Sequence, residues 1–427
     1  MSKPSLVYAP PMNDAVSRWG VYAIPRMWRE RDGALVIRLN GEEDCADVEN
    51  LLAAPNLFFS SYDDGASWQP VPDGESRYDI AHLTGIDPPI LRRADGEALY
   101  FQYEKGLRPI HDAPFRKEFL APCGDAVLRT YRFGDIPSDA KGLFFGRVRG
   151  GREELFRTEI DFPSREVAVN AFAKSGNTYR YVEPYLQPFL FKLPYLCSLT
   201  ELSDGTLVAL ATGQNPSVCD RFCSEVYLLA STDGGHTFRY RSTVASDTLG
   251  VPYGYGGDGG EVSMTRDACG NLFVVMRMDM SIHPDCDEEK LWSAMLCVSR
   301  DGGFTWSTPR AVADSSVTPH IVALDGDVLL LIYGRPGVHC KISTDGGNTF
   351  GEPHSIIGKT LDEERALGRS DFESKYANAV SYSNVFYEKL SGDTVLVCYS
   401  DLTYPDANGI PTKAAFVRRI TVADEKE

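Results

Sequence analysis

The chain has 427 residues, with 43 Lys and Arg against 60 Asp and Glu and a formal charge of −17. A broad acidic field excludes nucleic acid and an anionic membrane surface as the main partner. A chain that is 43% hydrophobic and 11% aromatic is neither disordered nor fibrous.

The start, "MSKPSLVYAPPMNDAV", has no apolar run of signal-peptide length, and no apolar run of about 18 residues occurs anywhere. The expectation is a cytoplasmic protein, in which the ten cysteines act as small buried hydrophobes. Cys219 and Cys223 lack a second Cys or His pair at zinc-binding spacing, so no metal and no cofactor is expected.

Along the chain, an apolar run, an Asp/Gly turn and a second apolar run recur six times. They are "RERDGALVIRL" around Gly33, "LRRADGEALYF" around Gly96, "ELSDGTLVAL" around Gly205, "TRDACGNLFVVM" around Gly270, "ALDGDVLLLI" around Gly326 and "KLSGDTVLVCY" around Gly392. Each reads as a β-hairpin. A second phrase, S-x-D-x-G-x-x-[WF], occurs four times: "SYDDGASW" at 61–68, "STDGGHTF" at 231–238, "SRDGGFTW" at 299–306 and "STDGGNTF" at 343–350. Three copies follow strand-like runs, "EVYLLA", "AMLCV" and "VHCKI", so this phrase predicts a second tight turn, between third and fourth strands.

The six glycines are 63, 109, 65, 56 and 66 residues apart. A unit of roughly 60 residues with two hairpins is a four-stranded sheet, and such sheets repeated radially make a β-propeller. The expectation is an all-β, six-bladed propeller over residues 1–427, with seven blades as the alternative. The long interval, about 100–190, holds an insertion or a degenerate blade. No window shows sustained helical periodicity.

Residues equally far from a hairpin turn on its two arms lie side by side. Glu261 and Arg277 flank Gly270 at nine and seven residues, Arg335 follows Gly326 by nine, His320 precedes it by six, and Tyr382 precedes Gly392 by ten. The loop "NGEEDCADVEN" begins seven residues after Gly33. These positions are expected to converge on one mouth, with the S-x-D-x-G turns facing the outer rim, far from it. "GYGGDGGE" at 254–261 contains a formal G-x-G-x-x-G, but no βαβ unit follows it. It reads as a loop entering the fourth blade, not as a nucleotide site.

These segments resemble the sialidase (neuraminidase) superfamily with Asp-box repeats. "GGEVSMTRDACGNLFVVMR" looks like the segment carrying the catalytic Glu and second arginine, Glu261 and Arg277. "DGDVLLLIYGRPGVHCKISTDGG" looks like the segment of the third arginine, Arg335, and "AVSYSNVFYEKLSGDTVLVCYSD" like that of the nucleophilic tyrosine, Tyr382. "VYAIPRMW" resembles the family's Tyr-Arg-Ile-Pro, but Ala23 stands where the first arginine belongs. Arg18 and Arg26 are the candidate replacements. Alternation along a strand sets Arg26 on the other face from residue 23. The resemblance implies an acid/base Asp in the acidic loop, either Asp44 or Asp47.

The implied activity is removal of a terminal acidic sugar by a Tyr/Glu pair. A carboxylate nucleophile is repelled by the sugar's own carboxylate, and Tyr avoids this. Tyr needs a base beside it, here Glu261. Arginine forks bind the substrate carboxylate. His320 is a further candidate for substrate binding, or a packed structural histidine. The alternatives are a propeller polysaccharide lyase acting on uronates and a non-catalytic carbohydrate-binding propeller.

Overall fold

A computed structural model of the chain describes residues 1–8, 20–30, 32–43, 56–71, 90–102, 110, 113–120, 126–163, 166–175, 178–181, 199–214, 224–246, 254–255, 261–279, 293–314, 317–334, 336–368, 382–405, 409 and 411–422. Among these the protein is all-β, with one short α-helix, Leu361–Ala366, and two single-turn 3₁₀ segments. The strands belong to two compact units, Met1–His82 with Asp314–Glu427, and Leu83–Ala313.

The first unit contains three antiparallel sheets of four strands. Gly20–Arg29, Leu35–Glu43, Asn56–Ser61 and Gln69–Pro70 form one meander in chain order, and Val317–Ala323, Leu329–Gly334, Val338–Ser343 and His354–Ile357 form a second. The third joins Tyr382–Lys389, Thr394–Pro405 and Pro411–Thr421, and Ser5–Tyr8 adds itself to the last of these. Leu35, Ile37, Leu39, Met27, Leu396, Cys398 and Val417 pack the first and third sheets together.

The second unit contains Ile90–Arg92, Ala98–Gln102, Gly142–Arg149 and Arg152–Asp161, whose last strand pairs in parallel with Thr237–Ser246. That strand closes the meander of Leu199–Glu201, Leu207–Gln214 and Ser224–Ser231, so the two meanders read as one eight-stranded sheet. A further meander is Val262–Arg266, Leu272–Asp279, Ala294–Ser299 and Arg310–Ala313. The long interval near 100–190 holds the outer strands of the Gly96 meander. It also holds a separate sheet of Lys117–Leu120, Ala126–Arg132, Glu166–Ser175 and Thr178–Tyr181. Phe101, Phe145 and Phe238 meet at 5.0–5.5 Å between centroids in the core of this unit. Each such buried ring contributes about 1.5–3 kcal/mol of hydrophobic stabilisation.

The six Asp/Gly turns connect the first and second strands of their meanders, and the four S-x-D-x-G turns connect the third and fourth. In an up-and-down meander both kinds of turn lie at one end of the sheet. The first strand enters, and the second turns into the third, at the other end.

The S-x-D-x-G turns share one hydrogen-bond pattern. The Ser hydroxyl donates to the Asp carboxylate at 2.7–2.8 Å and accepts the N–H of the Gly at 2.8–2.9 Å, in Ser61/Asp63/Gly65, Ser231/Asp233/Gly235, Ser299/Asp301/Gly303 and Ser343/Asp345/Gly347. The same Asp accepts the N–H four residues on. Three of the turns are also fastened to the neighbouring meander of their own unit. Arg419 Nη2 donates to Asp64 O at 2.9 Å, Arg241 Nη1 to Gly302 O at 2.7 Å, and Arg147 to Gly234 O. Repetition of the phrase thus follows from packing: its Gly sits at positive φ, and at Gly65, Gly235 and Gly303 against the adjacent meander.

Candidate functional site

Glu261 and Arg277 stand at the entry end of their sheet. The last ladder pair below them is Val262 with Met276. Arg277 N–H then donates to Glu261 O at 2.9 Å, and Arg277 Nη1 donates to Glu261 Oε1 at 2.9 Å. Each side chain is 14% exposed. Beyond Arg277 the strand changes partners, and Met278 and Asp279 pair with Tyr255 and Gly254. Both side chains are thus oriented at a strand end. A carboxylate can accept a proton or a hydrogen bond, and a guanidinium is the side chain suited to an anion.

In the first unit the first strand of every sheet carries a bulge at the same level. It falls between Ala23 and Arg26, between Val317 and His320, and between Ser383 and Phe386. Ala23 pairs with Asn40 and Arg26 with Arg38, two residues on one face of their strand. The bulge therefore puts residues 23 and 26 on the same face. This corrects the expectation from simple alternation, because the extra residue resets the period of two. Arg26 nonetheless occupies the level of His320 and Phe386, one step deeper than Ala23.

His320 is fully buried, and its ring meets Phe386 and Tyr387 edge-on at 5.5 and 5.1 Å. A ring so enclosed packs the sheets together and presents no surface to a ligand. Tyr382 is the first residue of its strand and the register partner of Asp401. Arg18, Asp44, Asp47 and Arg335 lie outside the described residues.

The register also identifies a residue that the sequence reading missed. Asp401 follows Ser400 as Arg335 follows Gly334, and those two partners pair with Ser383 and Val317 at the same bulge. Asp401 lies nine residues after Gly392, as Arg335 does after Gly326, so the count used for the arginines already pointed to it. Among the described residues no group of three or more His, Cys, Asp or Glu is placed to hold a metal ion. No helix among them is long and apolar enough to cross a membrane.

No protein-family profile and no curated protein matches the sequence. Solved structures do resemble it. A crystal structure of a protein of unknown function from Dyadobacter fermentans DSM 18053 is 17% identical over 98% of both chains, with a TM-score of 0.56. A Hadza microbial sialidase, Hz136, is 14% identical over 94% of this chain and 65% of its own, with a TM-score of 0.44. The Penicillium chrysogenum α-L-arabinanase complexed with arabinobiose is 12% identical over 97% of both chains, with a TM-score of 0.47. A shared fold does not carry an activity with it. The Dyadobacter likeness is one of fold, and the solved structures around this chain include glycoside hydrolases.

Proposed function

We propose that this chain is a sialidase-like exo-glycoside hydrolase that removes a terminal acidic sugar, on a six-bladed propeller whose blades are the six meanders. The observation that carries this reading is the Glu261–Arg277 pair: two side chains 14% exposed, joined at 2.9 Å at the entry end of a sheet. In this reading Tyr382 attacks the anomeric carbon and gives its proton to Glu261. Asp44 or Asp47 protonates the departing glycosidic oxygen. The Tyr–carbon bond forms as the carbon–oxygen bond breaks, and water then releases the sugar with the Asp acting as base. Arg277 and Arg335 bind the sugar carboxylate, and Arg277 is oriented by its bond to Glu261.

Asp401 opposite Tyr382, together with Ala23, favours a second reading, in which the same machinery takes a neutral sugar. Both residues make this flank of the site less positive than an arginine would.

The test is hydrolysis of aryl sialosides, aryl glucuronides and neutral aryl glycosides by the wild type and Tyr382→Phe. Release of the acidic sugar, abolished in the variant, supports the first reading. Turnover of neutral glycosides alone supports the second. Products absorbing as unsaturated uronates indicate a lyase, and binding without turnover indicates a lectin-like propeller; either overturns both readings.

A further inference from the structure

The sheet of Lys117–Leu120, Ala126–Arg132, Glu166–Ser175 and Thr178–Tyr181 stands outside the repeat of turns. Its first half is inserted between Gln102 and Gly142, and its second between Asp161 and Leu199. All four of those residues lie at the entry ends of their meanders, away from the turns at Gly96, Gly150 and Gly205. The sheet therefore leaves the fold at the end where Glu261 and Arg277 stand. One strand also joins the two places. Leu207, Ala209 and Ala211 share a core with Tyr131 and Val167 of this sheet. The alternate residues Val208 and Leu210 share another with Val262 and Met264, in the strand that Glu261 precedes.

Register sorts the faces of the sheet. Leu128 and Thr130 lie on one face and are buried. On the other, Tyr131 and its partner Val167 are buried in the core, and the rows beyond them open outward. Glu118, Arg129 and Val169 form the next row. Leu120 pairs with Val127, Val127 with Phe172 and Phe172 with Tyr181, one row across all four strands. Leu120 is 55% and Tyr181 50% exposed. The Arg129 guanidinium lies over the ring of Phe115 at 4.5 Å, and Phe115 is 48% exposed. Arg129 Nε also donates to Glu118 Oε2 at 2.8 Å.

Exposed apolar side chains gathered in one patch mark a binding surface. Three half-exposed side chains present roughly 300 Å². A stable protein partner needs about 800 Å² of each surface, so the patch is too small for a second copy of the chain. It suits a small ligand, whose sites are mostly apolar with a few fixed polar groups. Glu118 and Arg129 cancel in charge, so these two rows match a neutral ligand. A pyranose has that composition: C–H faces that lie on apolar side chains, and hydroxyls that donate to a carboxylate such as the exposed Glu118.

We propose that this face is a carbohydrate-binding platform for the neutral pyranose residues beyond the bond that is cleaved, seated on Leu120, Tyr181 and Phe115 and held by Glu118. The place of that glycan in catalysis rests on the glycoside hydrolase reading.

The experiment uses the full chain with lactose, cellotetraose and mannotetraose as probes. Calorimetry reads affinity, and hydroxyl-radical footprinting reads which rings a probe covers. Tyr181 and Phe115 are expected to be protected, while Tyr62 and Phe304, exposed at S-x-D-x-G turns, are not. The double variant Leu120→Asn/Tyr181→Ala should weaken binding about tenfold, through lost contact with two apolar side chains. Its urea midpoint should stay that of the wild type, because both residues are exposed.

If none of the three probes binds, if the variant binds them unchanged, or if protection falls elsewhere, the inference falls. A wild-type dimer that the variant dissociates in sedimentation also overturns it, since the face is then a self-interface. The two readings fail separately. Probes bound on this face by a chain that cleaves no glycoside keep the platform and lose the hydrolase. Cleavage of aryl glycosides by a chain that binds no probe keeps the hydrolase and loses the platform.

Discussion

Gly270 and Gly303 offer a matched pair for asking what the S-x-D-x-G turn does. Both lie in the same compact unit, and both have positive φ, +89 and +88. A Cβ on Gly270 meets nothing within 4 Å. On Gly303 it would fall inside Leu228 Cδ2 and lie 3.3 Å from Leu272 Cδ1. Gly303 is also tied in place, since its N–H donates to Ser299 Oγ at 2.8 Å and its O accepts from Ser242 Oγ at 2.5 Å. Gly270→Ala therefore bears only the backbone cost of left-handed geometry, about 1–2 kcal/mol. Gly303→Ala adds an overpacking cost of about 1–3 kcal/mol, because the backbone is tied and the Leu228 and Leu272 side chains it meets are fully buried. Urea denaturation of the two variants, compared at unchanged slope, reads the difference. Placing each substitution in a Leu228→Ala background removes the obstacle, and Gly303→Ala should then cost no more than Gly270→Ala. Equal midpoints for the two single variants would refute the claim that the turn is packed against its neighbour.

The remaining predictions concern charge. Asp63, Asp301 and Asp345 are each lowered to about 2, in the first two mainly by the hydroxyl four residues on, at Ser67 and Thr305, and in Asp345 by the Thr349 N–H. A depressed folded-state value gives stability that is full above the unfolded value near ~3.9 and is lost as pH falls toward about 2. The urea midpoint should therefore drop across that window, and Asp301→Asn should flatten the drop. Glu261→Gln should lower stability by about 1–3 kcal/mol by leaving Arg277 without its charged partner, and should abolish turnover in any activity assay.

Much of the fold was legible because it is written in turns. Gly33, Gly96, Gly205, Gly270 and Gly326 all need positive φ, and they mark where first strands become second ones. Two things were not legible. The strands of 117–132 and 166–181 carry no repeated turn phrase, so the sheet they build, half inserted within another meander and half following it, left no period to count. The bulges were hidden because a single added residue has no compositional mark beyond Pro25 and Pro319, which occupy it in two of the three strands. Missing them reversed the face assigned to Arg26. Asp401 stands at the same nine-residue count from its turn as Arg335, but only the register shows it opposite Tyr382.

The two ends of each sheet answer to different constraints. At the turn end, the Gly of each S-x-D-x-G phrase has positive φ, from +80 to +97. Its neighbours admit no side chain at Gly65, Gly235 or Gly303. Four copies therefore stay nearly identical. At the entry end the backbone alone repeats: one bulge recurs in three strands, while the residue beyond it is Arg26, His320 or Phe386. One step outside the bulge, the partner is Gly41, opposite Tyr22, in one sheet and Asp401, opposite Tyr382, in another. A frame riveted at one end by steric demand leaves the other free to vary its side chains at fixed levels. Chemistry in such a chain is to be sought where the repeat keeps its register and loses its sequence, as it does at Glu261, Arg277, Tyr382 and Asp401.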